Sequence, residues 1–225
     1  LTGQGVVPAA QGLYGLRLEG GGGVNPTPGG RLEDFIVQFG DRQRSFVNHV
    51  RMVFTDDTNV EALFQSVTTD QPDRIRMFRS NLHGSGLTRV EIANQAQREG
   101  QDIVLDFGPQ GIGGPRATPI PGDAIYTVLI DANLDGRFET RRRFFRLLGD
   151  VDGNRVVDRD DVQTVRRAVG TTNPQRPELD VNGDGRIDQQ DVQLTQRSVG
   201  RRVIPPIRAS VIESQAEDLG SGDFQ

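Results

Sequence analysis

The chain has 225 residues, a net charge of −5, 28 glycines and no cysteine. This length suits one sizeable domain with a smaller one, and the lack of cysteine excludes disulfides and thiolate metal sites. All 26 basic residues are arginines scattered along the chain, which does not indicate the concentrated basic patch of a nucleic-acid-binding surface. No stretch approaches the ~20 apolar residues that span a bilayer.

Residues 1–31 form an N-terminal segment with two parts. The stretch "GLYGLRLEG", from Gly12 to Gly20, alternates apolar and other residues and predicts a strand. It is followed by "GGGVNPTPGG", where glycines and prolines predict a flexible tether.

Residues 32–148 have the pattern of a β-domain. The stretch "FVNHVRMVF" places Phe46, Val50, Met52 and Phe54 on one face at a period of two. The stretches "RVEIAN", "DIVLDF", "AIYTVLI" and "RFETRRRFFRLL" are similar and are separated by Gly-, Pro- and Asn-rich turns. Seven or eight short strands of this kind favour an antiparallel β-sandwich.

Residues 149–203 contain an internal duplication. The acidic loop "DVDGNRVVDRDD" (150–161) returns as "DVNGDGRIDQQD" (180–191), and each copy leads into a short amphipathic run. Helical spacing relates the apolar residues of these runs, which are Val162, Val165, Val169, Val192 and Val199. Gly170 and Gly200 end the runs, as glycine often ends a helix.

The whole chain therefore predicts a mainly β protein with a small α part. Its predicted order is an N-terminal strand and tether (1–31), a β-sandwich (32–148), a two-helix calcium-binding domain (149–203) and a loose tail (204–225).

The acidic loops have the spacing of calcium loops. Calcium takes six to eight oxygen ligands, and a twelve-residue loop supplies them from positions one, three, five, seven (a backbone carbonyl), nine and twelve. In the first copy these are Asp150, Asp152, Asn154, the carbonyl of Val156, Asp158 and Asp161. In the second they are Asp180, Asn182, Asp184, the carbonyl of Arg186, Asp188 and Asp191. Because so many carboxylates repel one another without a cation, the sequence predicts two calcium ions.

The two loops differ at position six, where the backbone turns sharply. Gly185 fills this position in the second loop, whereas Arg155 fills it in the first. The first loop therefore departs from the ideal pattern, and weaker calcium binding is expected there.

A third loop, "DANLDGRFE", begins with the same spacing of oxygen-bearing side chains, at Asp131, Asn133 and Asp135. Its twelfth position is Arg142, so Glu139 or a carboxylate from elsewhere would have to complete an ion's shell. Two interpretations stay open for this loop: a third calcium site, or a polar hairpin turn.

Two loop–helix calcium repeats joined by a linker resemble a dockerin domain, over about 55 residues from Gly149 to Val203. The resemblance implies two helices packed antiparallel around two ions, and docking onto a cohesin β-sandwich. Cellulosomal dockerins commonly place Ser-Thr just before the last calcium ligand, and here those positions hold Arg159-Asp160 and Gln189-Gln190. The preceding β-domain makes residues 34–200 similar to the ends of large bacterial surface and secreted proteins, in which an Ig-like or cohesin-like sandwich is fused to a dockerin.

These observations favour a non-catalytic, calcium-stabilised protein that works outside the cell or at its surface through contacts with other proteins. In the sharper form of this hypothesis the chain assembles into filaments with copies of itself. The strand at 12–20 would then add to a neighbouring subunit, although it could instead complete its own sandwich. The alternative is an attachment module that docks a larger protein or enzyme onto a cohesin-like partner.

Other chemistries have little support in the sequence. Two histidines and no cysteine argue against a zinc site, and "HGSGL" (83–87) lacks the spacing of a nucleophile elbow. With no tryptophan and two tyrosines, carbohydrate binding by aromatic stacking is disfavoured. We therefore expect no catalytic residues.

Overall fold

The computed structural model describes residues 29–69, 72–115, 122–172 and 175–204. These ranges contain both acidic loops of the duplication and the third loop that begins at Asp131. The predicted strand at 12–20, most of the tether and the tail from residue 205 lie outside them.

Within the described ranges, the β-domain consists of two four-stranded antiparallel sheets, which confirms the predicted sandwich. The first has the order β1-β2-β6-β5, with β1 at Leu32–Val37, β2 at His49–Phe54, β5 at Ala96–Glu99 and β6 at Asp102–Asp106. The second has the order β4-β3-β7-β8, with β3 at Ile75–Ser80, β4 at Thr88–Val90, β7 at Ala124–Ile130 and β8 at Thr140–Arg146.

The core of the sandwich forms where the two sheets face each other. In β2, Val50, Met52 and Phe54 are buried and alternate with partly exposed residues, as expected for a strand with one face inward. Phe46 is also buried, although it precedes the strand. None of the helices in the described ranges is long and apolar enough to cross a membrane.

A helix, α1 (Val60–Thr68), interrupts the region for which only strands were predicted. Asn59 caps it by accepting a hydrogen bond from the Ala62 N–H at 3.1 Å, a role that asparagine favours. Val60, Leu63 and Val67 are buried, and their spacing of three and four is helical. The sequence therefore contained the cap and the apolar spacing of a helix, and the prediction of strands alone overlooked them.

Two further helices follow the acidic loops: α2 (Arg159–Arg167) and α3 (Gln189–Ser198). Of the valines at helical spacing, Val162, Val165 and Val192 are buried, whereas Val169 and Val199 are 45% and 44% exposed. The helices end before these last two valines, and the chain then turns at Gly170 and Gly200, where φ is 95° and 90°.

The sandwich and the duplicated region are in direct contact. Strand β8 runs into the first acidic loop with no intervening helix, as the alternating "RRRFFR" predicted. The backbone N–H groups of Arg44 and Ser45 both donate to the Asp150 carbonyl at 2.9 Å. The Gly149 N–H donates to the Ser45 hydroxyl at 3.0 Å, so the first loop rests on the segment between β1 and β2.

Candidate calcium centre and helix surface

The first acidic loop, residues 150–161, curls around the carboxylate of Asp150, which is fully buried. Its Oδ1 accepts hydrogen bonds from the N–H groups of Gly153 at 2.8 Å and Asn154 at 3.1 Å, and its Oδ2 accepts one from Arg155 at 3.1 Å. These bonds hold the turn closed around position one.

Asp161 closes the same loop from its far end. Its Oδ1 accepts the Val151 N–H and its Oδ2 accepts the Asp158 N–H, both at 2.9 Å. Asp158 is the N-cap of α2, and its side chain and that of Asp161 form a capping box. The residue predicted to close the calcium shell therefore also starts the helix.

The carboxylates of the first loop converge in a way that fits one calcium ion. Oxygens of Asp150, Asp152 and Asp161 lie within 4.8 Å of one another. Two oxygens bound to one calcium at ~2.3–2.6 Å are at most about 5 Å apart. The structure thus brings positions one, three and twelve together as the spacing required.

The second loop, residues 180–191, repeats the hydrogen bonding to its first and last carboxylates. Asp180 accepts hydrogen bonds from the N–H groups of Gly183, Asp184 and Gly185 at 2.7, 3.1 and 2.8 Å. Asp191 accepts the Asn182 N–H at 3.0 Å and the Asp188 N–H at 2.8 Å. The helix α3 begins with the same capping box as α2.

The side chain at position five makes the same hydrogen bond in both loops. Asn154 and Asp184, at position five, each accept the N–H of position seven, Val156 or Arg186, at 2.8 and 2.9 Å. Val156 and Arg186 belong to the short backbone bridges Val156–Arg202 and Thr172–Arg186.

Burial perturbs several of these carboxyl groups in the metal-free chain. It raises the pKa of Asp150 to about 7, against the lowering effect of the Arg155 and Gly153 N–H groups. It also raises the pKa values of Asp161 and Asp191, to which neighbouring carboxylates of the same loops add. Buried like charges of this kind favour either protonation or a bound cation.

Each loop is fastened to the end of the other loop's helix. Val157, at position eight of the first loop, exchanges hydrogen bonds of 2.9 Å with Gly200 and Arg201 beyond α3. Ile187, at position eight of the second, does so with Gly170 and Thr171 beyond α2 at 2.9 and 2.8 Å. Leucine, valine and isoleucine side chains, including Val165, Leu179 and Val192, pack between the repeats. The two halves therefore fold as one unit.

The third loop has the same turn but a different partner at its centre. Asp131 is fully buried and accepts the N–H groups of Asp135 at 3.1 Å and Gly136 at 2.8 Å. Glu139 accepts the Ala132 N–H at 2.7 Å, and Asn133 accepts the Asp135 N–H at 3.0 Å.

Arg74 supplies a positive charge to this third loop. Its guanidinium forms an ion pair with Asp131 at 2.7 Å. Sequence reasoning missed this contact because Arg74 lies on the approach to β3, far from the loop along the chain. Whether the loop also takes an ion remains a prediction.

The exposed surface of α2 and α3 is basic and rich in amides. Its residues are Arg159, Asp160, Gln163, Arg166 and Arg167 on α2, with Gln189, Gln190, Gln193, Gln196 and Arg197 on α3. Four arginines against one aspartate make this helix surface positive, although the chain as a whole carries −5. A groove of about 380 Å³ between the helices is lined by Val162, Arg166, Gln196 and Val199, among others.

Comparison with known proteins agrees with this architecture. Residues 148–199 match the family described as "Dockerin type I domain". A weaker similarity, with 11% identity and a TM-score of 0.25, connects 58% of this chain with 84% of a chain in the crystal structure of an N-terminal interface mutant of the type II Cohesin-X-Dockerin complex from Acetivibrio cellulolyticus. A TM-score of this size does not indicate a shared fold, so the assignment rests on the family match. Residues 148–199 of this chain, preceded by a β-sandwich, are a dockerin type I domain.

Proposed function

We propose that this chain is a calcium-dependent attachment protein whose dockerin domain docks onto a cohesin-type β-sandwich. The observation that carries the proposal is the doubled loop–helix unit within the dockerin match at residues 148–199. Dockerin domains bind calcium and are interaction modules without catalytic activity. The chain's role is therefore to hold a partner, and we propose that the sandwich has no catalytic role either.

We propose one ion in each repeat loop. The first would be held by Asp150, Asp152, Asn154, the Val156 carbonyl, Asp158 and Asp161, and the second by Asp180, Asn182, Asp184, the Arg186 carbonyl, Asp188 and Asp191. Convergence of the buried Asp150 and Asp161 with the exposed Asp152 in the first loop supports this assignment. In the third loop, we propose that Arg74 takes the place of an ion, because its guanidinium already pairs with the buried Asp131.

Calcium supplies positive charge that the converging carboxylates need. Asp161 and Asp191 belong both to the proposed ion sites and to the capping boxes of α2 and α3. Neutralising these side chains in their bound positions would therefore fix the start of each helix. Ordered helices present the basic surface to a partner.

Calcium is also the proposed source of stability in a chain without disulfides. A ligand present at a hundred times its dissociation constant adds about 2.7 kcal/mol to the stability of a single-site protein. That is a large share of the ~5–15 kcal/mol typical of a domain. Because calcium outside cells is near millimolar, we propose that the chain works outside the cell or at its surface.

The docking surface is proposed to be the exposed face of α2 and α3. Its excess of arginine favours a partner with carboxylates at the matching positions, since complementary charge raises association rates and selects partners. Arg159-Asp160 and Gln189-Gln190 stand where cellulosomal dockerins commonly have Ser-Thr. The expected partner is therefore a cohesin with an acidic and amide-binding face.

The dockerin match supports docking onto a partner and gives no support to the filament hypothesis. Self-association is therefore kept as an outcome of the binding experiment and not as the proposed function.

The proposal is tested by binding the full chain to a panel of immobilised cohesin modules by surface plasmon resonance, in millimolar calcium and in EDTA. We expect calcium-dependent binding that the double substitution Arg166→Glu with Arg197→Glu weakens at least about tenfold, a loss of ~1.4 kcal/mol. Arg31→Glu, at an exposed position on the sandwich, should leave it unchanged. Binding by no cohesin of the panel, or binding that both variants retain, would contradict the proposed surface.

A further inference from the structure

The second repeat loop contains an asparagine followed directly by a glycine, Asn182-Gly183, at positions three and four. Among the nine asparagines of the chain, Asn182 alone precedes a glycine. Asparagine is a thermolabile residue, because the backbone nitrogen of the next residue can attack its side-chain amide. Glycine offers that nitrogen with no side chain to obstruct the attack. Asn182 is therefore the asparagine of this chain whose neighbour favours the reaction most.

The reaction exchanges an amide for a carboxyl group with water as the one co-reactant. The Gly183 nitrogen gives its proton to a base in solution and bonds to Cγ of Asn182, while the bond from Cγ to Nδ2 breaks. The departing nitrogen takes up a proton and leaves as ammonia. Water then opens the cyclic imide at either of its two carbonyl carbons. One opening gives aspartate, and the other gives isoaspartate, whose main chain is longer by one carbon.

The closed loop holds both reacting groups. The Gly183 N–H donates to Oδ1 of Asp180 at 2.7 Å. Oδ1 of Asn182 accepts the Asp184 N–H at 2.9 Å, and its Nδ2 donates to Oδ2 of Asp184 at 3.1 Å. An N–H that faces a carboxylate resists deprotonation, because the negative charge formed there is disfavoured beside another. An amide held at both of its ends is also kept from turning to receive the nitrogen. The closed loop therefore resists the reaction.

Opening of the loop removes both restraints. Asp180 and Asp191 are buried, and with Asp184 and Asp188 they place four carboxylates in one loop. Like charges at such close quarters repel one another unless a cation lies among them. A cation that binds the closed loop lowers the population of open loops, by a factor that grows with its concentration over its dissociation constant. Asn182 is partly exposed, so water reaches it once the loop opens.

We propose that Asn182 is a deamidation site that the calcium ion of the second loop protects. The inference rests on the proposed calcium site in that loop. The isoaspartate product inserts one carbon into the backbone between ligand positions three and five, which displaces Asp184 from its place in the loop. Loss of the ion followed by this reaction thus makes the loss irreversible. The aspartate product keeps the spacing and places a carboxylate where the first loop has Asp152.

Peptide mapping by mass spectrometry tests this on the full chain, incubated at mildly alkaline pH in saturating calcium and in EDTA. The mass gain of deamidation at Asn182 is expected to accumulate at least about tenfold faster in EDTA, since the reaction follows the population of open loops. Asn154 in the first loop precedes Arg155 and serves as the internal reference, which should stay intact over the same time. Conversion of Asn182 no faster than that of Asn154 in EDTA would overturn the proposal.

A matched pair of variants separates this inference from the calcium assignment on which it rests. Asp180→Asn removes position one of the second loop and should let Asn182 react in calcium as fast as in EDTA. Asp150→Asn makes the same change in the first loop and should leave Asn182 protected by calcium. Fast reaction of Asn182 in calcium, in a chain whose second loop binds an ion by calorimetry, would overturn the protective role. A second loop that binds no ion would contradict the calcium assignment itself.

Discussion

Arg155 and Gly185 occupy the same position of the two repeat loops and adopt the same left-handed backbone, with φ of 77° and 88°. This conformation costs a non-glycine residue roughly 1–2 kcal/mol, whereas glycine adopts it freely at an entropic cost of about 0.5–1 kcal/mol. The first loop therefore carries strain that the second avoids. The sequence indicated the same weakness from the missing glycine.

Arg155→Gly is expected to relieve this strain and to stabilise the calcium-loaded chain by about 0.5–1 kcal/mol. Gly185→Arg is the matched control and should destabilise it by a similar amount. Chemical denaturation in saturating calcium measures both. A loss of stability in Arg155→Gly would mean that the arginine side chain contributes more than the backbone strain costs.

Asp150 makes the metal-free chain sensitive to pH. Burial raises its pKa to about 7, so between about pH 4 and pH 7 the folded state retains a proton that the unfolded state has released. The stability of the metal-free chain should therefore fall as the pH rises through this interval. Calcium competes with that proton, so its affinity should rise over the same interval.

Thermal unfolding of the calcium-stripped chain at about pH 5 and about pH 7.5 measures this effect. Asp150→Asn serves as the control, because an amide does not titrate and should flatten this part of the pH dependence. A metal-free chain that is more stable at the higher pH would contradict the expected direction.

At the scale of elements, a buried charge cluster joins the sandwich to the far end of the dockerin domain. Asp123, ahead of β7, forms ion pairs with Arg146 at the end of β8, at 3.3 Å, and with Arg201, which follows α3. It also accepts the Leu148 N–H at 2.9 Å. Burial raises the pKa of Asp123 in spite of the two arginines. The cluster thus connects the residues before β7, the end of β8 and the segment after α3.

Asp123→Asn should lower the free energy of unfolding by about 3 kcal/mol, because it removes the buried carboxylate that pairs with Arg146 and Arg201. Asp73→Asn, which removes one of the two carboxylates paired with the more exposed Arg89, should cost at most about 1 kcal/mol. Urea denaturation of both variants in calcium provides the comparison. Equal, small effects would show that the cluster does not hold the domains together.

The elements that the sequence predicted best are those specified by local chemistry. Ligand spacing located both acidic loops, and period-two alternation located β2, β6, β7 and β8.

The helix α1 was missed, although Asn59 and three buried apolar residues mark it, because the surrounding strand pattern was extended across it. Val169 and Val199 continue the helical spacing but lie beyond the helix ends, because each helix stops where the chain turns to bond the other repeat's loop, which is a tertiary property. Arg74 and Asp123 were missed for the same reason, since their partners are distant along the chain.

At the scale of the whole molecule, the dockerin domain is fixed on the sandwich and not loosely tethered to it. The first loop rests on residues 42–45 through the two hydrogen bonds to the Asp150 carbonyl. A side chain at Gly153 would place its Cβ at 1.7 Å from the Arg42 carbonyl oxygen, so glycine is required by this close approach. The sandwich therefore supports the first proposed ion site directly.

Isothermal titration calorimetry of the calcium-stripped full chain tests whether two calcium ions organise the dockerin domain. We expect two ions per chain, one ion in each of Asp150→Asn and Asp180→Asn, and still two in Asp131→Asn, where Arg74 already pairs with the third loop. No calcium binding, or a third ion that Asp131→Asn removes, would contradict this expectation.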